Sequence, residues 1–259
     1  MGLSRLIGLF LISLKMFFKY RSLFFLLVCE WISTNYTTAQ ISVGVIGGYT
    51  NNCMNTDMAN LAYTRQVNLG GYSFGILYKK TLSKVFALQA EFQLVQKNYS
   101  FERNGSYKGI FEDFYNTYLQ LPLRGQLDIL RRKKISIALN AGVFGAYWVF
   151  TKVNGVAPNV FNTTNQVDAT GEDIQNFYLT KYSEVYRFNS KKDNRFEFGL
   201  HTGVTLQYDA NEKNGFFMEY IYYHSLSDTQ KKYMVNQVSK VNQTSLVSVG
   251  FLMKFNSKK

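Results

Sequence analysis

Between Arg195 and Tyr208 the chain sorts into two sets of alternate positions. One set reads Phe196, Phe198, Leu200, Thr202, Val204, Leu206 and Tyr208, and the other Arg195, Glu197, Gly199, His201, Gly203, Thr205 and Gln207. Strand side chains point to opposite faces with period two, so this segment has one apolar and one polar face. A helix would mix the two sets around its circumference. The polar face combines glycines with ionisable groups, which suits the inside of a narrow barrel whose apolar face looks outward at lipid.

The same alternation recurs along the chain. The first strand carries Ile41, Val43, Val45, Gly47 and Tyr49 against Ser42, Gly44, Ile46 and Gly48. The second, Gly70 to Lys79, sets Tyr72, Phe74, Ile76 and Tyr78 on one face. In the third, Phe86, Leu88, Ala90, Phe92 and Leu94 oppose Gln89, Glu91, Gln93 and Lys97. The fourth, Tyr115 to Leu127, has Leu119, Leu121 and Leu123 outside with Gln120, Pro122, Arg124 and Gln126 inside. Proline cannot donate to a ladder, so a bulge is expected at Pro122. Lys134–Thr151, Arg195–Tyr208, Phe216–His224 and Thr244–Phe255 complete eight strands.

The connections alternate in length. Long ones span 51–69, 98–113, 152–194 and 225–242, the third with a Phe177-Tyr178 patch that suits a local hairpin; short ones span 80–84, 130–133 and 209–214. Up-and-down outer-membrane barrels pair short periplasmic turns with long extracellular loops, whereas a soluble sandwich has no reason to sort its loops this way. Lipid offers no partner to an open strand edge, so the sheet must close. The expected fold is all-β: an eight-stranded antiparallel up-and-down transmembrane β-barrel over 40–259. Tyr49, Tyr72, Tyr78, Tyr115, Tyr147, Tyr208 and Tyr222, near strand ends, suit aromatic girdles at the lipid boundaries.

Composition adds an export signal. Basic Lys15, Lys19 and Arg21 precede the apolar run Leu23–Val28, and Thr37-Thr38-Ala39 ends in a small residue, so residues 1–39 read as a secretory signal peptide, with Met16 as an alternative start. Cys29 falls inside that signal, which leaves Cys53 alone and the mature chain without an internal disulfide. The 22 phenylalanines and 19 tyrosines with two prolines favour strands over disorder. The net charge of +12 is scattered through the connections, with no run that would follow a phosphate backbone, so nucleic acid is not expected as a partner.

Short motifs carry a resemblance. Ala87-Leu88-Gln89-Ala90-Glu91-Phe92, Tyr118-Leu119-Gln120-Leu121-Pro122-Leu123-Arg124 and Asn140-Ala141-Gly142-Val143-Phe144-Gly145 resemble successive strands of PorT-like outer-membrane β-barrel proteins of the Bacteroidetes type. Phe196–Gly203 and Phe216–Tyr222 are similar to that family's closing hairpin, although Ser225-Leu226 stands where it usually places Gly-Leu. The resemblance implies an integral barrel of a Gram-negative outer membrane and no single activity. Its founding members assist secretion, so a role as a secretion accessory, with another envelope or secretion protein as partner, is an expectation.

The inward set holds Glu91, Lys97, Arg124, Glu197, His201 and Glu219. Buried charges persist when paired, so these are expected to form a lumen network in which Arg124 neutralises two of the three glutamates. A narrow small-solute conduit is the alternative. Two histidines, His201 and His224, cannot supply a zinc site, and no phosphate-binding glycine loop is present, so no cofactor is expected. His224-Ser225 could suggest a lipid-modifying enzyme, but adjacent strand residues point to opposite faces, and no catalytic residue is assigned. The long loops are the expected interaction surface. Their Arg187, Lys191, Lys192, Lys231 and Lys232 would meet lipid and lipopolysaccharide phosphates at the outer leaflet, or simply be solvated.

Overall fold

The computed structural model describes residues 40–58, 63–167, 173–235 and 237–255. The expected signal peptide and Cys29 lie outside the described residues. Ten strands form: β1 (Gln40–Thr56), β2 (Thr64–Thr81), β3 (Phe86–Gln96), β4 (Tyr99–Arg103), β5 (Phe111–Arg132), β6 (Ile135–Val167), β7 (Asp173–Val185), β8 (Phe196–Asp209), β9 (Asn214–Ser225) and β10 (Lys240–Phe255).

Eight of them close a ring in the order β1-β2-β3-β5-β6-β8-β9-β10, with β10 returning antiparallel to β1 from Ile41↔Phe255 to Thr56↔Lys240. No edge is left in the ring, as hydrocarbon requires. The expected eight-stranded up-and-down barrel is therefore the fold. The alternation does its predicted work: Phe74 (65% exposed), Leu123 (55%) and Phe198 (58%) cover the outside, while Gln93, Gln120 and Lys97 (each 0%) face the lumen. A soluble sheet would turn these sets the other way round.

Two strands stand apart from the eight. Lys97 and Asn98 interrupt the path of β3, and β4 resumes it between β2 and β5. At the break the Asn98 side chain replaces backbone partners, donating to Gly70 O at 2.7 Å and accepting from Asn116 N at 3.0 Å. Gly71 is needed beside it, because a Cβ there would lie 2.7 Å from Gln96 Cβ and 2.8 Å from Thr50 Oγ1. The other strand, β7, pairs only with the upper half of β6. At 33 residues, β6 is about three times the ~9–11 residues a tilted spanning strand needs, so its second half stands beyond the barrel wall.

The structure therefore corrects three of the four long loops. Residues 152–167 and 173–185 are paired antiparallel as β6 and β7, which bears out a hairpin at Phe177-Tyr178 and extends it over most of the loop; 99–103 are β4, and much of 51–69 extends β1 and β2. Polar alternation does not announce a strand where both faces meet water, which is why these extensions read as loops. The bulge expected at Pro122 is also absent. Pairing of β3 with β5 keeps its register across this residue, from Ala90↔Leu123 to Gln93↔Gln120. The proline omits its bond without shifting the ladder, and the register shifts of β5 against β6 fall at Thr117/Tyr118 and Asp128/Leu130.

Candidate functional site

The lumen is filled in layers. At the end with the short turns, Lys79 Nζ donates to Gln207 Oε1 at 3.0 Å, Gln207 Nε2 donates to Asp209 Oδ1 at 2.7 Å, and Lys254 Nζ meets Asp209 Oδ1 at 2.6 Å. The central layer is built on Arg124. Its Nη2 contacts both Glu91 Oε1 and Glu219 Oε2, the latter at 2.7 Å. Glu219 also accepts from Thr205 Oγ1 at 3.3 Å and Ser248 Oγ at 3.1 Å. Glu91 accepts from Gln89 Nε2 at 2.6 Å and from Gln93 Nε2. Gly142 makes room for the arginine, since a Cβ there would stand 2.7 Å from Arg124 Cα and run into the Leu123 carbonyl.

The upper layer pairs Lys97 Nζ with Glu197 Oε1 at 2.6 Å. The ammonium also lies 4.9 Å from the Tyr118 ring centroid and 4.8 Å from that of Phe144, a desolvated cation–π setting. Asn242 Nδ2 donates to Glu197 Oε2 at 2.9 Å. Asn52 Nδ2 donates to Asn242 Oδ1 at 3.2 Å, and Thr244 Oγ1 donates to Asn52 Oδ1 at 2.6 Å. Above this layer Tyr118, Trp148 and Tyr186 stack, with centroids 5.9 and 6.0 Å apart and both interplanar angles 9°. Phe188 stands edge-on to Trp148 at 5.0 Å.

Of the six residues predicted for the lumen network, five form ion pairs. Arg124 takes Glu91 and Glu219, and Lys97 takes Glu197. His201 is inward as expected but joins no pair. Its ring packs 5.1 Å from Tyr223 and 6.4 Å from Phe144, and neither ring nitrogen has a hydrogen bond among the described residues. Alternation already sets Gln93 and Thr205 on the inward faces with the charged groups, and the parity of the last strand gives Ser248; Asn242 lies in a segment read as loop. Trp148 keeps the inward parity of Phe144 and Ala146 and so was within reach of the same rule, whereas Tyr186 and Phe188 lie in a segment read as loop.

His224 and Ser225 point to opposite faces. His224 is partly exposed, with Nδ1 3.5 Å from Gln243 Nε2, whereas Ser225 is buried, its Oγ donating to Ser227 O at 3.1 Å. Among the described residues no group of three His, Cys, Asp or Glu side chains could hold a metal ion. Cys53 is unpaired by disulfide, its Sγ 3.4 Å from Gln66 Oε1.

Beyond the aromatic stack the barrel opens into a cavity of about 620 Å³ between the extended strands and the β9–β10 connection. Phe101, Phe111, Met234 and Tyr182 supply its apolar walls, and Glu112 and Lys240 its charges. Tyr182 donates to Glu112 Oε1 at 2.7 Å, and Lys240 Nζ stands 5.7 Å from the Phe101 centroid. Burial pushes the Lys240 ammonium below its ordinary pKa, against the opposing pull of Asp228 and Glu112. In the aromatic stack Tyr186 donates to Asp193 Oδ1 at 3.0 Å, and burial, then that hydrogen bond, push its hydroxyl up to about 12.

A closed antiparallel ring, apolar outside and ion-paired inside, defines a transmembrane β-barrel. The family model for the outer membrane protein beta-barrel domain matches residues 39–231, and the chain belongs to that family. Its place is the outer membrane of a Gram-negative envelope. Among solved structures, the chain is similar to the outer membrane protein OprG from Pseudomonas aeruginosa (13% identity, 83% of this chain and 95% of that one, TM-score 0.46). It is also similar to the attachment invasion locus protein Ail of Yersinia pestis (13% identity, 83% and 99%, TM-score 0.36) and to Neisserial surface protein A (12% identity, 83% and 97%, TM-score 0.35). A search of curated proteins found no significant match.

Proposed function

We propose that this protein is a non-conducting interaction barrel of the PorT-like kind, exported by its N-terminal signal and serving as an accessory of protein secretion through its extracellular end. The observation that carries this reading is the contrast between the two parts of the molecule. The lumen is occupied by paired charges and a stacked aromatic cap, while the long-loop end builds a projecting hairpin and an open cavity. Eight strands leave an interior that side chains can fill, so conduction would need both ion-pair layers to part. The surface left for work is the one outside the membrane, where a rigid barrel displays β6, β7 and the neighbouring connections. The short turns and both ends of the ring face the periplasm on this reading.

Two measurements test it. In planar bilayers the purified barrel is expected to give no conductance steps; discrete openings would transfer the reading to a small-solute channel. In cells, a photo-crosslinker at Leu179, which is 50% exposed on β7, is expected to trap one envelope or secretion protein. Replacing 157–180 by a tight turn should abolish that adduct. The truncated chain should still run faster unboiled than boiled, because β7 contributes nothing to the ring. Normal export in a deletion strain, with no adduct at Leu179, would remove the secretion role.

A further inference from the structure

Two segments far apart in sequence are tied together at the long-loop end. Asp193 and Gln230 form an antiparallel bridge. Around it Lys231 N donates to Lys192 O at 2.8 Å and Asn194 N to Thr229 O at 3.0 Å. Asn194 Nδ2 adds a bond to Asp228 O at 2.8 Å. This joint places Lys191 and Lys192 of the β7–β8 connection beside Lys231 and Lys232 of the β9–β10 connection, and these four, with Arg187 earlier in the β7–β8 connection, are exposed.

The acids of these two segments do not neutralise them. Asp193 is 7% exposed and accepts from the Tyr186 hydroxyl and, at 2.6 Å, from Asn189 N. Asp228 Oδ1 accepts from Gln230 N at 2.8 Å and Lys240 N at 3.2 Å. Both carboxylates are thus engaged in holding the loops, and none of the five cations has an ion pair among the described residues. Two of them are pre-positioned: Lys231 Nζ donates to Ser190 O at 2.9 Å, and Lys192 Nζ lies 5.5 Å from the Tyr233 ring centroid. The fold sequesters the negative charge and presents the positive.

The height of this cluster is fixed by the apolar belt below it. Phe196 (70% exposed), Phe198 and Leu226 (54%) face outward at the tops of β8 and β9, and Leu226 N donates to Phe198 O at 2.9 Å. Arg195 marks the transition, its guanidinium 4.5 Å from the Tyr147 centroid and 4.2 Å from that of Phe188. Phe196, Phe198 and Leu226 suit hydrocarbon and the amphipathic ring of Tyr147 suits the headgroup level, so the cations above them stand where outer-leaflet headgroups carry their charge.

We infer that Arg187, Lys191, Lys192, Lys231 and Lys232 form one binding site for phosphate groups borne by lipids of the outer leaflet. The site rests on the proposed orientation, with the long connections outside the cell. Because it is assembled from two tethered segments, little ordering is left for binding to accomplish.

The test uses the full mature chain refolded in detergent, with diphosphoryl lipid A and the same lipid after phosphatase treatment as probes, read by native mass spectrometry. The wild type is expected to retain the phosphorylated lipid and to lose it as salt rises. The variant Lys191→Gln, Lys192→Gln, Lys231→Gln, Lys232→Gln should retain it at least about tenfold more weakly, since each basic group at an anionic surface contributes several-fold. Equal retention by the variant, or equal retention of the dephosphorylated lipid, would overturn the site. Displacement of lipid A by an equal concentration of a soluble polyphosphate would overturn the lipid source in favour of a soluble polyanion. Heat-modifiability of both proteins shows that the barrel is closed. Surface labelling of Lys232 on intact cells reports orientation separately, so a failure of the site and a failure of the topology read differently.

Discussion

Arg124→Ala is expected to destabilise the refolded barrel by about 3–5 kcal/mol, the range found when one member of a buried ionic group is deleted. The loss would show as a lower urea midpoint for conversion of the fast-migrating unboiled band to the slow one. The reason is what remains. Glu91 and Glu219, both under 4% exposed, would face one another without the guanidinium that now bridges them, left with the amides of Gln89 and Gln93 and the hydroxyls of Thr205 and Ser248. Repulsion and desolvation then act in the same direction. The control is a triple change, Arg124→Met with Glu91→Gln and Glu219→Gln, which removes all three charges and should recover most of the midpoint. Recovery would mean that the layer matters because it must be balanced, and that the charges themselves contribute little net stability. An unchanged midpoint in Arg124→Ala alone would sink the buried network as a structural feature.

Much of this network is legible in the sequence alone. Period-two alternation in Arg195–Tyr208 assigns Glu197 and His201 to one face, and the same rule places Glu91, Lys97, Arg124 and Glu219 together. What alternation does not contain is stagger. Whether Arg124 meets Glu91, Glu197 or Glu219 depends on the register of non-adjacent strands around the ring, which places Glu197 a layer above, opposite Lys97. His201 shows another limit: parity turns it inward, yet its neighbours are the rings of Phe144 and Tyr223 and no acid. The long-loop end was the least legible, for a physical reason. A strand reveals itself through the difference between its two environments, and β7 beyond the membrane has water on both sides, with Tyr178, Leu179 and Val185 all half exposed or more. Its amino acids meet no contrast that would enforce alternation. The five cations could be named from the sequence, but the Asp193–Gln230 bridge that gathers them could not, because it depends on which loops the closed ring brings side by side.

The outward set makes an equally direct prediction, on the opposite face of the same strand. Leu123 is 55% exposed, one position from Arg124 and midway along the membrane-spanning part of β5, with Tyr115 above and Arg131 below. Leu123→Arg is expected to cost about 2–4 kcal/mol in a lipid bilayer, the price of an arginine at the hydrocarbon midplane. Ile129→Arg, on the same strand near its short-turn end and 57% exposed, should cost only about 0–1 kcal/mol, because the depth-dependent penalty fades toward the interface. The pair is informative because exposure is nearly equal at the two sites, so a protein surrounded by water would tolerate both alike. Urea titration in lipid vesicles, followed by tryptophan fluorescence of Trp148, measures each midpoint. A clear gap between the variants places Leu123 in hydrocarbon and Ile129 at its edge. Equal midpoints would mean that the apolar face of this sheet meets something other than a membrane.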